Sequence, residues 1–240
     1  MQSGDSIAVI PARGGSKRIP RKNVRPFCGL PMIARSIGTA REAGIFSHVV
    51  VSTDDPEIAD IARDHGALVP FERPAALADD FTTTLQVVEH AAHALAERGM
   101  PSDHLCCIYA TAPFMRASDL IDARAMLSAG VGANICVPVT QYPFPIQRAL
   151  RLGEGGRIAM MDPAQMVARS QDLEPAWHDT GQFYFATTER WLSGEPVFGP
   201  GCVGLPIESW RVQDIDTPDD WKRAELLFAQ LNPDLAGQAC

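Results

Sequence analysis

The chain has 240 residues, of which 46% are hydrophobic, and a net charge of −8. That length suits one large α/β domain spanning residues 1–240 and is short for two, while the acidic balance argues against a general nucleic-acid-binding surface. No apolar run approaches the ~18 residues needed to cross a bilayer, so no membrane association is expected.

Met1 to Ser6 is short and polar, unlike a secretory leader, and the six cysteines show neither C-x-x-C nor metal-ligand spacing. A cytoplasmic protein with reduced thiols is the expectation.

In chain order, Ile7 to Ala12 is a continuous apolar run, as expected of a strand buried on both faces of a parallel sheet. It empties into a glycine-rich loop, Arg13 to Asn23, in which Arg13, Lys17, Arg18, Arg21 and Lys22 place five cations within eleven residues. Gly14 and Gly15 lack Cβ and allow successive amides to turn toward one point, so a triphosphate fits this loop. The spacing matches neither the P-loop nor the dinucleotide pattern G-x-G-x-x-G. The five cations also disfavour a dinucleotide oxidoreductase.

A helix is predicted over Pro31 to Ala43, with Gly44 as its stop, then a strand over His48 to Ser52. Thr53 to Glu57 opens a helix that ends near Gly66, its acidic residues and Pro56 suiting the N-terminal dipole. Further strands are predicted at Ala67–Val69, Leu105–Tyr109 and Ala133–Val139, with helices from Thr83 or Thr84 to about Arg98 and from Ser118 to Leu127. This alternation implies a mostly parallel, doubly wound, Rossmann-like sheet with ligands beyond the carboxyl ends of its strands, where Arg13, Asp54, Thr111 and Pro138 fall. After Val139 the pattern breaks into a proline-rich, aromatic run and short hairpin-like pieces reaching about Glu174, read as an arm. Gln182–Phe185 restores a strand, Thr188–Leu192 a short helix, Arg211–Ile215 a final strand, and Trp221–Leu231 the closing helix.

Three constellations carry chemistry. In an extended strand Asp214 and Asp216 point to one face, and two carboxylates with phosphate oxygens and water suit Mg²⁺. Alternatively, Asp216 or Thr217 caps the last helix, with Pro218 at its first position. The polar run from Val167 to Tyr184 suits a polyhydroxylated acidic ligand, with Arg169 for a carboxylate and His178, Asp179 and Gln182 for hydroxyl or amide groups; a solvated loop is the alternative. His178 has a possible role as general base, although a lone histidine is more often an orienting or structural group. Arg73, Thr82 and Thr83 suit a base or phosphate, although the threonines also suit a helix cap.

From Ile7 to Leu231 the chain resembles the cytidylyltransferases that activate nine-carbon acid sugars, the CMP-sialic acid synthetase family. The residues that carry the likeness are Ile10 to Asn23, Val51 to Asp54, Arg73–Pro74 and Asp214–Asp216. The resemblance implies a nucleotide-diphospho-sugar transferase-like fold and CTP bound by Ala12, Arg13, Gly14, Gly15, Ser16, Lys22, Asn23, Arg73, Thr82 and Thr83. It further implies Lys22 near the phosphates and Mg²⁺ on Asp214 and Asp216, so that Lys22, Asp214 and Asp216 are the expected catalytic residues.

Where the sialic acid enzymes read LQPTSP, this chain has Ile108 to Pro113, so a sugar-site glutamine becomes Tyr109. Phe144 to Leu150 and Arg169 to Tyr184 look instead like the branch that acts on pseudaminic acid. Tyr109, Thr111, Gln147, Arg148, Arg169, His178, Asp179 and Gln182 are then the expected sugar-binding residues. The implied reaction is attack of the sugar's anomeric hydroxyl on the α-phosphorus of CTP, releasing diphosphate, with N-acetylneuraminic or legionaminic acid as alternative acceptors and an inactive nucleotide-binding regulator as a different class. A homodimer is also implied, in which an insertion at about residues 140–182 reaches the neighbouring subunit's site.

Overall fold

The computed structural model describes residues 5–129 and 132–233; Met1 to Gly4 of the polar start, and Cys240, lie outside them. β1 (Ser6–Pro11) leads through the basic loop to a small hairpin, β2 (Pro26–Phe27) with β3 (Leu30–Pro31). Then follow α1 (Met32–Glu42), β4 (His48–Ser52), α2 (Pro56–Asp64), α3 (Thr84–Glu97), β5 (His104–Ile108), α4 (Ala117–Ser128) and β6 (Ile135–Gln141). Between β6 and the next sheet strand lie a small hairpin, β7 (Leu150–Leu152) with β8 (Ile158–Met160), and β9 (Trp177–Asp179). The chain continues through β10 (Phe183–Thr187), α5 (Thr188–Leu192), β11 (Cys202–Pro206) and α6 (Pro218–Leu231).

The central sheet has the order β11-β6-β10-β5-β1-β4, with β9 also on β6. β1 runs parallel to β4 and β5, and β11 parallel to β6, whereas β10 is antiparallel to both β5 and β6. Five strands therefore share one direction, and the sheet is mostly parallel, as expected.

Alternation along the strands divides the core. Ala8 and Ile10 join Ile33 and Ile37 of α1, Ile58 of α2 and Leu120 of α4 on one face, while Ile7 and Val9 meet Val88, Ala91 and Leu95 of α3 on the other. Helices on both faces explain why β1 is apolar along its length. Cys106, Cys107, Cys136 and Cys202 are free thiols, whereas Cys28 is disulfide-bonded, which departs from the expectation of reduced thiols. Among the described residues no helix is long and apolar enough to cross a membrane.

Two predicted strands differ. Ala67–Val69 contributes a single parallel bridge, Val50 with Leu68, instead of a ladder. Arg211–Ile215 is not a strand: a short 3₁₀ turn covers Ser209–Arg211, and irregular chain follows it. Its buried residues are anchors at its two ends, Arg211 on Asp119 and Ile215 in an apolar cluster, with no sheet partner between them. The missing edge place is taken by β11, whose glycine and proline weaken its strand signal.

A third apolar cluster lies outside the sheet layers, where Ile19 of the basic loop and Ile215 of the acidic segment pack with Phe27, Met32, Phe114, Trp221 and Phe228. Phe27 meets Trp221 and Phe228 edge-on, at centroid distances of 5.4 and 5.3 Å. Thr217 and Asp220 form a capping box at the start of α6, with Pro218 at the first helical position. Phe27→Ala should destabilise the protein by about 3–5 kcal/mol, because its ring is fully buried and the hole cannot close against two other aromatics. Chemical denaturation of both proteins measures this.

Candidate active site

β1 ends at Pro11 and releases the basic loop at the carboxyl edge of the sheet, where Arg13, Ser16, Lys22 and Asn23 line an open cleft. Arg73, Thr82, Tyr109, Thr111 and Asp216 line the same cleft, so nine predicted site residues from five stretches of chain converge there. Asn23 closes the loop on itself: its side-chain amide donates to the Arg13 carbonyl at 3.0 Å.

The loop meets the acidic segment directly. Lys22 Nζ donates to the Ile215 carbonyl at 2.7 Å and lies 3.4 Å from Asp216 Oδ1, while Arg18 pairs with Asp216 Oδ2 at 2.7 Å. Arg13 lies 2.7 Å from Asp80 Oδ1, and Lys17 pairs with the other oxygen of that carboxylate. Arg21, in the left-handed region at φ 55°, is held by Asp55 and Glu57. Hydrogen bonding to Arg21 holds the Asp55 carboxyl below its ordinary value despite its partial burial.

The glycines work differently from the expected amide nest. The Gly14 N–H donates to Asp54 Oδ1 at 3.1 Å, and the Ser16 N–H returns to the Gly14 carbonyl at 3.1 Å. Gly14 serves close approach instead, since a Cβ there would lie 2.5 Å from Asp55 Oδ2. Nothing crowds Gly15, and Ala12 is buried with its N–H bonded to the Ser52 carbonyl at 2.9 Å. The positive charge of the cleft is carried by side chains, those of Arg13, Lys17, Arg18 and Lys22.

Arg73 is buried and donates from Nε to Ser52 Oγ at 3.2 Å and from Nη2 to the Ser52 carbonyl. Burial pulls its guanidinium down to about 10, with the Asp54 charge pulling the other way. Thr83 is a helix cap, accepting from the Gln86 N–H in a capping box, while its neighbours Thr82 and Thr84 line the cleft. Tyr109 and Thr84 hydroxyls lie 3.2 Å apart, and the Tyr109 ring meets Tyr184 edge-on at 5.8 Å. Tyr184 donates to Asp179 Oδ2 at 2.6 Å, and burial raises the Tyr184 hydroxyl far above its ordinary value. Asp179 thus reaches the cleft wall only through the two tyrosines.

The remaining sugar-site residues are not on that wall. The His178 ring lies tilted against Tyr142 at 4.6 Å with Nδ1 bonded to the Asp179 carbonyl, and buried Gln182 donates to the Arg211 carbonyl at 2.8 Å. Gln147 donates to the Glu174 carbonyl, Arg148 to Ser170 Oγ, and Arg169 pairs with Asp172, all on the exposed arm. Lys17 and Arg18, read from the sequence as loop charge, also line the cleft, and the residues that the sequence reading left out of the site are Ile19, Thr84, Val87 and Ala110 on the cleft, with Asp80 bridging two cations. Asp80 gains its meaning only from its long-range partners.

Among the described residues no three metal-ligating side chains converge; of the two predicted metal ligands Asp216 lines the cleft and Asp214, two residues before it in irregular chain, does not. Asp214 makes no ion pair among the described residues, and its carboxyl is raised by desolvation against the chain and then by the charge of Asp216. Two carboxylates that repel one another fit a hard divalent ion whose other ligands come from phosphate and water.

A basic cleft at the carboxyl edge of such a sheet, with Asp216 on its wall, is where an open α/β fold takes an anionic ligand. A family model described as cytidylyltransferase matches residues 7–139. The pseudaminic acid cytidylyltransferase of Campylobacter jejuni is 40% identical over 223 residues, 93% of this chain and 96% of that protein. The CMP-N,N'-diacetyllegionaminic acid synthase of Legionella pneumophila is 29% identical, covering 92% of this chain and 95% of that one. A solved structure of CMP:2-keto-3-deoxy-manno-octonic acid synthetase complexed with CTP shares the fold at a TM-score of 0.70 and 16% identity, covering 95% of this chain and 99% of that chain. The chain belongs to the cytidylyltransferase family and is a nucleotidyltransferase.

Gly14→Ala should weaken nucleotide binding roughly tenfold, since both oxygens of Asp55 are engaged and the added methyl group overpacks the start of the loop. The nucleotide KM, measured beside the melting temperature, reports it.

Proposed function

We propose that this chain transfers the cytidylyl group of CTP to pseudaminic acid, forming CMP-pseudaminic acid and diphosphate. The observation that carries the reading is the junction of Lys22 and Arg18 with the Ile215–Asp216 segment at the cleft. The C. jejuni relative, whose name states this activity, supports the choice of acceptor. Tyr109, at the position where sialic acid enzymes carry glutamine, points the same way.

The anomeric hydroxyl oxygen forms a bond to the α-phosphorus, the bond from that phosphorus to the bridging oxygen breaks, diphosphate leaves with the electron pair, and the hydroxyl proton is lost. Arg13, Lys17, Arg18 and Lys22 neutralise the phosphates, and Arg73, Thr82 and Thr84 bind toward the nucleoside. Asp214 and Asp216 would hold Mg²⁺, which would supply charge neutralisation at the phosphates. Tyr109 and Thr111 face the acceptor, with Tyr109 oriented by Thr84 and Tyr184. A CTP-consuming reaction fits the cytoplasm.

Gln147, Arg148 and Arg169 act in a neighbouring subunit's cleft, across a homodimer made by the arm at about 140–182. Phe144 (80% exposed) and Val167 (92%) support this, because such apolar exposure on a hairpin arm suits burial against a second copy.

Asp216→Asn should reduce kcat on the order of 100-fold while the protein still melts cooperatively. Diphosphate release with a panel of pseudaminic, legionaminic and N-acetylneuraminic acids should be fastest with the first; equal or faster turnover of another sugar overturns the acceptor. Separately, mixing inactive Asp216→Asn with inactive Arg169→Ala protein should restore activity, since exchanged subunits contain one intact site. No recovery after verified exchange would place Arg169 outside the partner's cleft.

A further inference from the structure

The segment that carries Asp214 and Asp216 has no regular structure, yet both of its ends are fixed. At the far end Ile215 is 1% exposed in the third apolar cluster, its carbonyl taken by Lys22, and Thr217 caps α6. At the near end stands Arg211, whose Nη1 and Nη2 meet the two oxygens of Asp119 at 2.7 and 2.9 Å, with side chains only 4% and 8% exposed. Arg211 Nε also donates to Glu208 Oε2 at 2.8 Å, and the Arg211 carbonyl accepts from the buried Gln182 at 2.8 Å. Asp119 is itself fixed, accepting from the Arg116 N–H at 2.9 Å at the start of α4.

We propose that the Arg211–Asp119 pair, with Gln182, is a positioning clamp that sets where Asp214 and Asp216 stand relative to the cleft. This rests on the assignment of those two carboxylates to the metal. A buried ion pair adds little stability over apolar residues of the same volume, because desolvating both charges offsets their attraction. What a forked arginine–carboxylate pair adds is direction: two parallel bonds fix the plane and angle of the side chain, and hence the backbone that carries it. Here that backbone lies three residues before Asp214, and the fork joins it to α4 while Gln182 joins it to the start of β10. Arg211 and Asp119 do not line the cleft, so they act through the carboxylates.

The test is the double variant Arg211→Met/Asp119→Leu, which keeps apolar volume in place of the pair. It is read by Mg²⁺ half-saturation in turnover, by Mn²⁺ binding to the protein without nucleotide, followed by electron paramagnetic resonance, and by melting. The expected result is metal affinity at least about tenfold weaker and a lower kcat in a protein that melts close to the parent, with Arg211→Lys intermediate. Parental metal affinity and kcat in the folded double variant overturn the clamp. If the double variant does not fold, Asp119→Asn, which keeps shape and one acceptor oxygen, carries the same two outcomes. Asp216→Asn serves as reference: parental Mn²⁺ affinity there refutes the carboxylate assignment, whereas weakened binding there with parental binding in the double variant refutes the clamp alone.

Discussion

One contact across 193 residues organises the site: the Lys22 ammonium on the Ile215 carbonyl, beside Asp216. It exists because Ile19 and Ile215 bury themselves in the same aromatic cluster as Phe27, Trp221 and Phe228. Apolar burial supplies the free energy, and the polar residues flanking each isoleucine are carried to the cleft with it. Without that cluster the basic loop would be charged chain at a sheet edge, and the two aspartates would be the approach to a helix.

The loop's charge is balanced carboxylate by carboxylate, on Asp80, Asp216, Asp55 and Glu57. Pairs at the cleft mouth such as Lys17–Asp80 and Arg18–Asp216 are exposed, where an ion pair is worth about 0–1 kcal/mol, so a polyphosphate can replace a carboxylate at small cost. Arg73 and Arg211 are built in the opposite way, buried and multiply bonded, and their places cannot shift without leaving a charge unpartnered. The cleft thus combines exchangeable cations at its mouth with a fixed one, Arg73, in its wall, while Arg211 is fixed outside it. On a chain of net charge −8, that local concentration of positive charge is what distinguishes this face.

Much of the architecture was legible because the sheet is covered on both sides. A strand buried on both faces must be apolar along its whole length, and β1, β4 and β5 announce themselves in that way. The helices were legible through their stops and caps, Gly44, Asp55 and the Thr217–Asp220 box among them. β11 was not, because at the sheet edge Cys202–Pro206 is only partly buried and carries glycine and proline. Arg211–Ile215 misled because it is irregular chain held at its two buried ends, Arg211 on Asp119 and Ile215 in the aromatic cluster, and not by a neighbouring strand.

The sequence alone determined the mostly parallel α/β sheet, the position of the basic loop at its carboxyl edge and the presence of a carboxylate pair, since each is local chemistry or a local period. Tertiary structure decided the rest: that Asp216 faces Lys22 and Arg18, that Asp80 bridges Arg13 and Lys17, that Gly14 is needed for Asp55, and that Gln182 and Arg211 secure the acidic segment. It also separated Gln147, Arg148 and Arg169 from the cleft residues that polar composition had grouped them with. The reason is the same in each case. These pairings join residues far apart in the chain, and apolar packing, which a local period does not specify, sets which polar groups meet.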